Sequence, residues 1–507
     1  MALGKKPNRI KLPLKARVTC PHCWNLFSPG DIMWVSSHPD LQGDEKLGPE
    51  AQARFLPSRF SVGGEAIDIK GEVCSQLACP KCHLVVSRVL VELSPLFISI
   101  LGAPASGKSN FLAAMTWKMR TTLAREFGIT FVDSDPGANQ VLNRYEEILF
   151  KNPKPDSLVS LWKTEVTGGE LLNAVNEKGR GVFYPKPFVF SLLPDSARFE
   201  DKSQTNRLTR ALCLYDNAGE HFMPGGDPTG RFVTKHLALS SALLYLFDPT
   251  QHYKFRMACE GKSDDPQLSE YGIMNPQEGV IAEAAGRIKS QKGLSQQERC
   301  SQPLIVVVTK YDAWAALTNS ASLDPRWLIK PRDDGRSGLD VKKLVSLSDQ
   351  VRNVLNKYSP ELVSAAEGNF EDVTYIPVSA LGTTPEVDPS NGRLVVRPRN
   401  VKPQFAEVPL LYALHRSVEG LVPSATGPSQ GRAPTGESAR PKKRSGSSPE
   451  TNHKPSPSKR GKSSGEIPIP EQNTVSLRSP DTTEDKRASA PPEPPAANET
   501  YLKETGQ

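Results

Sequence analysis

At 507 residues the chain is too long for one ordinary domain and long enough for a sizeable core, and no run of 18 or more apolar residues offers a membrane span. Hydrophobic content of 37% and 45 prolines depart from globular averages, largely because of the stretch after residue 424. The net charge of +7 divides into +3 for that stretch (13 Lys+Arg against 10 Asp+Glu) and +4 for the rest, a mild basic bias that does not by itself argue for nucleic acid.

The first residues, MALGKKPNRIKLPLKAR, are basic but lack the apolar centre of a secretory signal. Eight cysteines, four of them in two C-x-x-C pairs, argue for metal binding in a reducing compartment rather than for disulfides, so a cytoplasmic location is expected. Cys20-Pro-His-Cys23 and Cys79-Pro-Lys-Cys82 each place two thiolates on a tight turn, and two such turns complete a tetrahedral Zn²⁺ site. His22, His83 and Cys74 could also ligate. The alternation in VVSRVLVEL suits a β-hairpin arm. Residues 15–95 therefore resemble a zinc ribbon. The spacing departs from it: 55 residues separate Cys23 from Cys79, where about 15–20 are usual. Ser28 to Gly71 reads as an insertion, with a hairpin around Ser61–Lys70. No interleaved aromatic and basic pattern marks the module for nucleic acid, so a structural clip or protein-docking surface is favoured. Only Ser94 and Pro95 separate it from the next strand, which places it against the domain that follows.

Leu96 to Leu101 is a short apolar run followed by Gly102, four residues, then Gly107, Lys108 and Ser109. This is G-x-x-x-x-G-K-[ST] between a strand and a helix. Glycines let the backbone curl so that successive N–H groups meet phosphate oxygens, and the helix offers its N-terminus to the same anion. Lys108 can reach the β- and γ-phosphates, and the Ser109 hydroxyl can hold Mg²⁺. Gly102, Ala105, Ser106, Gly107, Lys108, Ser109 and Asn110 are the phosphate-side candidates.

The helix FLAAMTWKMRTTLAREFG ends at Gly128. ITFVDSD reads as a strand, VLNRYEEILFK as a helix, and Phe188–Leu193 and Leu208–Tyr215 as strands. The last of these delivers Asp216, with Gly219 three residues on. In a D-x-x-G the carboxylate holds Mg²⁺ and the glycine N–H senses the γ-phosphate. HLALSSALLYLFDPT is a helix and a buried strand ending at Asp248. LIVVV, Leu304–Val308, leads into Thr309-Lys310-Tyr311-Asp312. In this [NT]-K-x-D pattern the aspartate can accept two hydrogen bonds from guanine N1–H and its exocyclic amine, a donor pair adenine lacks. The lysine stem can lie along the purine face. The strand Val373–Val378 ends in Ser379-Ala380-Leu381, a turn able to give a backbone N–H to the guanine oxygen. EVPLLYALHRSVEGL closes the domain as a helix.

With these motifs in this order, residues 96–424 resemble the translation-factor and small-GTPase-like (TRAFAC) class of P-loop GTPases. The zinc-ribbon prefix makes the chain most similar to the bacterial double-GTPase type proteins, predicted signalling GTPases of conflict systems. The resemblance implies an α/β fold, a P-loop G domain with a mostly parallel sheet flanked by helices and ligands at the strands' carboxyl ends. It implies GTP/GDP and Mg²⁺ on the phosphate loop, Asp216 and Gly219 as the second switch, and Thr309, Lys310, Asp312, Ser379, Ala380 and Leu381 around guanine. Thr164 and Thr167 are candidates for the first-switch threonine. Glu220 and His221 stand where relatives orient the attacking water. A carboxylate there points to slow hydrolysis or to an activator's arginine, a role for which Arg231 is an internal candidate.

Tyr253–Ser301 and Ala315–Asp340 read as polar rim insertions open to partners. Cys213, Cys259 and Cys300 have no metal-ligand spacing and read as ordinary thiols, Cys213 buried on its strand. Ala425–Gln507 is expected to be disordered, and its Arg440–Arg444 and Lys459–Lys462 runs read as solvated linker. The leading expectation is a GTP–Mg²⁺ switch that signals to a protein effector or activator. Two others stay open: an ATP-using P-loop enzyme, and a zinc-ribbon nucleic-acid adaptor with a degenerate nucleotide site.

Overall fold

Continuous apolar runs make strands buried on both faces, and such strands form parallel sheets covered on both sides. The computed structural model follows this rule. It describes residues 15–161, 172–196, 198–199, 202–217, 222, 235–268, 276–318 and 323–426. The expected disordered tail, with its two basic runs, lies outside the described residues from 427 onward.

Seven strands form the central sheet: β1 (Ser94–Gly102), β2 (Ile129–Asp133), β3 (Phe188–Pro194), β4 (Arg210–Asp216), β5 (Ala242–Phe247), β6 (Leu304–Val308) and β7 (Val373–Pro377). Their order is β2-β3-β4-β1-β5-β6-β7. The pairs β4–β1, β1–β5, β5–β6 and β6–β7 are parallel, whereas β3 runs antiparallel to both β2 and β4. The carboxyl ends of five adjacent strands therefore share one edge. All six residues of β5 and all five of β6 are buried.

The principal helices are α1 (Lys108–Thr122), α2 (Gln140–Phe150), α3 (Gln277–Lys292), α4 (Val341–Tyr358), α5 (Pro360–Asn369) and α6 (Val408–Ser417). The α1 helix continues into a π-helical turn, Leu123–Phe127, and stops at Gly128, whose φ of 66° is the left-handed value of a glycine cap. It packs on α2 through a buried carboxylate: Glu146 accepts from Thr116 Oγ1 at 2.7 Å and from Arg120 Nε at 3.1 Å.

Side chains alternate across the sheet, as the pleat requires. Leu96, Ile98, Ile100, Leu212, Leu214, Phe188 and Phe190 join the main core. The intervening Phe97, Ala211, Cys213, Tyr215 and Val189 join a second core with Cys20, Cys23, Trp24, Cys79 and Cys82. The cysteine module thus covers one face of β1, β3 and β4. A hairpin, Leu172–Glu177 paired with Arg180–Pro185, adds Val175 and Tyr184 to that core.

Within the module the strand order is Val85–Val86, Leu77–Ala78, Met33–Val35, Arg54–Phe55. The inserted stretch after Ser28 therefore supplies two strands to the second knuckle's sheet. The expected turn-back near Ser61–Lys70 forms, with Ala66–Ile67 paired to Val73–Cys74.

Several expectations need correction. VVSRVLVEL does not continue as a strand; Val89–Glu92 is a short helix. Leu208 ends a helix, Lys202–Leu208, and the strand begins at Arg210. The stretch Tyr253–Ser301 is no rim insertion, because it holds α3, whose Val280, Ile281, Ala284, Ala285 and Ile288 are buried in the main core. Its many charged and small residues lie between those apolar pairs and mask their helical spacing.

Candidate functional site

The phosphate-loop candidates leave the carboxyl end of β1. Ala105 and Gly107 both take positive φ, 58° and 87°, which curls the loop into α1. Gly102 is required by close approach: a Cβ there would lie 2.8 Å from Ser106 Oγ and 3.0 Å from the Leu246 carbonyl oxygen. Gly107 leaves the first turn of α1 without a side-chain cap, so its N–H groups suit an anion. Lys108 Nζ donates to the Gly102 and Ala103 carbonyls, each at 3.0 Å, which holds a positive charge over the loop. Ser109 follows it in the first turn of α1. Ser106 is fully buried, and its Oγ has no hydrogen-bond partner among the described residues.

Asp216 ends β4 in register with Ile100 of β1. This places a carboxylate at the same edge of the sheet as Gly102. Gly219, Glu220, His221, Thr164, Thr167 and Arg231 lie outside the described residues.

The base-side candidates follow β6 and β7. Thr309 Oγ1 donates to Phe247 O at 3.1 Å and to Ser106 O at 3.4 Å, which ties the base loop to the phosphate loop. Lys310 has φ 54°. Its ammonium lies 2.5 Å from Asp248 Oδ2, 3.1 Å from Thr250 Oγ1 and 2.6 Å from Gln267 Oε1. Asp312 Oδ1 accepts from Ser379 Oγ, and that oxygen accepts from Gly382 N–H at 2.7 Å. Burial pushes the Asp312 carboxyl above the usual aspartate range, and the Ser379 hydrogen bond opposes the shift. Gly382 has φ 67°, and a Cβ there would overlap the Lys402 carbonyl.

The base-side groups and part of the phosphate loop face one cleft of about 840 Å³, much of it open to solvent; Gly102, Lys108, Ser109 and Asp216 are not among the residues that line it. Ser106, Gly107 and Asn110 line its phosphate side. Thr309, Lys310, Asp312, Ser379, Ala380 and Leu381 line the other.

Sequence reasoning missed the rest of the lining. Leu149, Val159, Leu161 and Val396 form an apolar wall, and Gln267 adds an amide. The wall is stitched by Val159 and Val396, which exchange backbone hydrogen bonds at 2.9 and 2.8 Å. Arg399 Nε, 2.6 Å from Asp156 Oδ1, ties the same two segments at the surface. Asp248 was missed as well. Besides Lys310 it accepts from Gln251 Nε2 at 3.1 Å, and Gln251 Nε2 also donates to Pro104 O in the phosphate loop at 3.2 Å. The signal was present, since Asp248 directly follows a buried strand, much as Asp216 ends one.

The metal candidates converge as expected. Ligand atoms of Cys20, Cys23, Cys79 and Cys82 lie within 4.8 Å of one another, all four residues buried. The Cys20–Cys82 and Cys23–Cys79 Sγ pairs are 3.7 Å apart. A Zn–S bond of about 2.3 Å gives a tetrahedron edge of about 3.8 Å, so the set fits Zn²⁺. The alternative donors are engaged elsewhere. His22 bonds the Pro185 and Val85 carbonyls at 3.0 Å each, His83 bonds Asp44 at 2.8 Å, and Cys74 faces Asp68 at 3.8 Å. Cys213, Cys259 and Cys300 lie outside this group. Burial raises all three thiols, Cys259 to about 11.

No protein-family model matches the chain, and no curated protein matches it. Among solved structures, an S. thermophilus NFeoB mutant bound to GDP is 12% identical over 66% of this chain and 65% of that one, with a TM-score of 0.22. A mutation variant of SsGBP is 15% identical over 57% and 52%, with a TM-score of 0.20. Translation elongation factor SelB from Methanococcus maripaludis, in complex with the GTP analogue GppNHp, is 10% identical over 57% and 30%, with a TM-score of 0.19. The chain thus spans under two thirds of the length of each. Scores this low carry no argument about fold or function. Among the described residues no helix is long and apolar enough to cross a membrane.

Proposed function

We propose that the chain binds guanine nucleotide with Mg²⁺, hydrolyses GTP slowly and passes its nucleotide state to a protein partner. The observation that carries this reading is the single cleft lined by Ser106 and Gly107 at one end and by Thr309, Lys310, Asp312 and Ser379 at the other. A phosphate-binding loop alone would suit many nucleotides. A half-buried carboxylate set across the same cleft suits a purine that offers two adjacent N–H donors, which is guanine and not adenine.

In this reading the loop N–H groups, the α1 N-terminus and Lys108 hold the phosphates. Ser109 and Asp216 are the residues that would take Mg²⁺, which supplies charge neutralisation on the β- and γ-phosphates. Asp312 accepts from the base, Ser379 orients that carboxylate, and Ala380 and Leu381 offer backbone N–H to the guanine oxygen. Zn²⁺ would sit on Cys20, Cys23, Cys79 and Cys82 as a closed structural site.

Titration of GDP and ADP into the purified full chain tests the reading. GDP is expected to bind at least 100-fold more tightly than ADP, with that preference lost in Asp312→Ala. Preference for ADP would turn the reading to an ATP-using enzyme. Salt-dependent RNA binding that survives Lys108→Ala, with no nucleotide bound, would turn it to a nucleic-acid adaptor.

A further inference from the structure

Both residues that flank Asp216 are held by buried polar contacts, and one set of contacts ends on the first cysteine knuckle. Trp24 follows Cys23 with a left-handed backbone, φ 55°. Its indole N–H donates to Tyr215 Oη at 3.2 Å, and the Tyr215 hydroxyl donates to Pro21 O, inside the knuckle, at 2.7 Å. His236 stacks on Tyr215 with centroids 4.3 Å apart and planes 10° apart. On the far side of Asp216, Asn217 Nδ2 donates to Ile100 O at 2.9 Å. Asn217 Oδ1 is therefore the acceptor facing His236, so His236 Nε2–H donates to it at 2.9 Å. His236 Nδ1 then accepts from the Ser99 hydroxyl at 2.6 Å. Tyr215 is 1% exposed and His236 fully buried.

Apolar packing alone would attach the module to the sheet. Here the tyrosine hydroxyl, the indole N–H and both imidazole nitrogens are committed to contacts that join Tyr215 and Asn217, on either side of Asp216, to the knuckle and to Ser99 and Ile100 of β1. Buried networks of this kind fix one geometry when every member is satisfied. We propose that Tyr215 and His236 are positioning residues for Asp216, anchored on the Cys20–Cys23 knuckle, so that occupancy of the cysteine site and Mg²⁺-dependent nucleotide binding are thermodynamically coupled. This rests on the reading of Asp216 as the residue that serves the nucleotide's Mg²⁺. Without a constrained knuckle the Pro21 carbonyl no longer fixes the Tyr215 hydroxyl, and the strand end that carries Asp216 loses one of its two anchors. Coupling between two sites acts equally in both directions.

The test uses the full zinc-loaded chain and a fluorescent GDP over a Mg²⁺ titration. Tyr215→Phe keeps the ring and removes only the hydroxyl. It is expected to raise the Mg²⁺ concentration needed for tight binding about 5- to 150-fold, the usual span of site–site coupling, while binding in Mg²⁺-free buffer stays the same. Removing zinc by chelator and dialysis is expected to do the same. The two changes together are expected to exceed neither alone, because both cut one chain of contacts. In the reverse direction, GDP with Mg²⁺ is expected to tighten zinc by the same factor in an equilibrium competition with a chromophoric chelator. Should Tyr215→Phe fail to fold, Trp24→Phe and the zinc-removal arm carry the same expectation. Nucleotide binding whose Mg²⁺ dependence ignores both the variant and the metal would overturn the coupling alone. A wild-type chain that binds no GDP would overturn the guanine-nucleotide reading itself.

Discussion

The ammonium of Lys310 sits 2.5 Å from a carboxylate oxygen of Asp248, a fully buried residue just past the end of the neighbouring strand. The same carboxylate meets Gln251, which reaches the phosphate loop at Pro104. One buried anion therefore braces both ends of the cleft. Breaking a buried pair by removing one partner costs about 3–5 kcal/mol, and Lys310 is 18% exposed, which favours the lower end. Asp248→Asn is expected to lower unfolding free energy by about 3 kcal/mol in urea melts and to weaken GDP binding. An unchanged denaturation midpoint would remove Asp248 from this role.

Guanine binding should fall as the solution is acidified. Burial raises the Asp312 pKa in the folded state, so the folded chain holds its proton to higher pH than the unfolded chain does. The sign follows: Asp312 lowers stability above its folded pKa, and that penalty is relieved as pH drops through it. The base needs the ionised carboxylate, so GDP affinity drops over the same range. Ser379→Ala removes the bond that opposes the shift, and the drop is expected to begin at higher pH. Calorimetry across pH decides this; identical profiles for the two chains would count against it.

At Gly102 a methyl group has nowhere to go. Its Cβ would press on Ser106 Oγ and on the Leu246 carbonyl, and backbone does not yield cheaply. Gly102→Ala is expected to lose GDP binding by 100-fold or more while the chain retains its zinc. Metal analysis beside a nucleotide titration reads both quantities from one preparation.

The apolar wall should set how long a nucleotide stays. Val396 is 6% exposed and bridges to Val159. Val396→Ala removes two methyl carbons, about 1.6 kcal/mol of folding stability, and by loosening the wall is expected to speed release of a fluorescent GDP in stopped flow. An unaltered rate would mean that the base does not rest on this wall.

Zinc content separates ligands from bystanders. If zinc occupies the four cysteines, elemental analysis should find it in the parent chain and lose it in Cys79→Ser, with a lower melting temperature. Cys74→Ser, whose thiol faces Asp68, is expected to keep the metal.

Much of this arrangement was readable from pattern. Short β-branched or aromatic runs such as LIVVV and ALLYLF read as buried strands, and Gly-rich or Asp-ended exits from them mark an edge where ligands gather. The four cysteines were readable because two near-identical knuckles repeat. What resisted was anything set by contacts distant in sequence. The wall pairs Val159 with Val396 across 237 positions, and neither carries a motif. The α3 helix hid because its buried residues come as pairs separated by charged and small ones. The hairpin Leu172–Pro185 is short, and its stability comes from the module it packs against. Asp248 was passed over because an aspartate after a strand is common; only Lys310 beside it gives it a role.

The strand that leads to the phosphate loop begins at Ser94, with no free segment between it and the cysteine module. The module's core also holds Phe97, Ala211, Cys213 and Tyr215 from the sheet. The two are therefore expected to melt together, and a chelator added to the intact chain should shift one cooperative transition rather than reveal a second. A chain cut to begin at Ser94 would leave that face of the sheet bare, an apolar surface open to self-association.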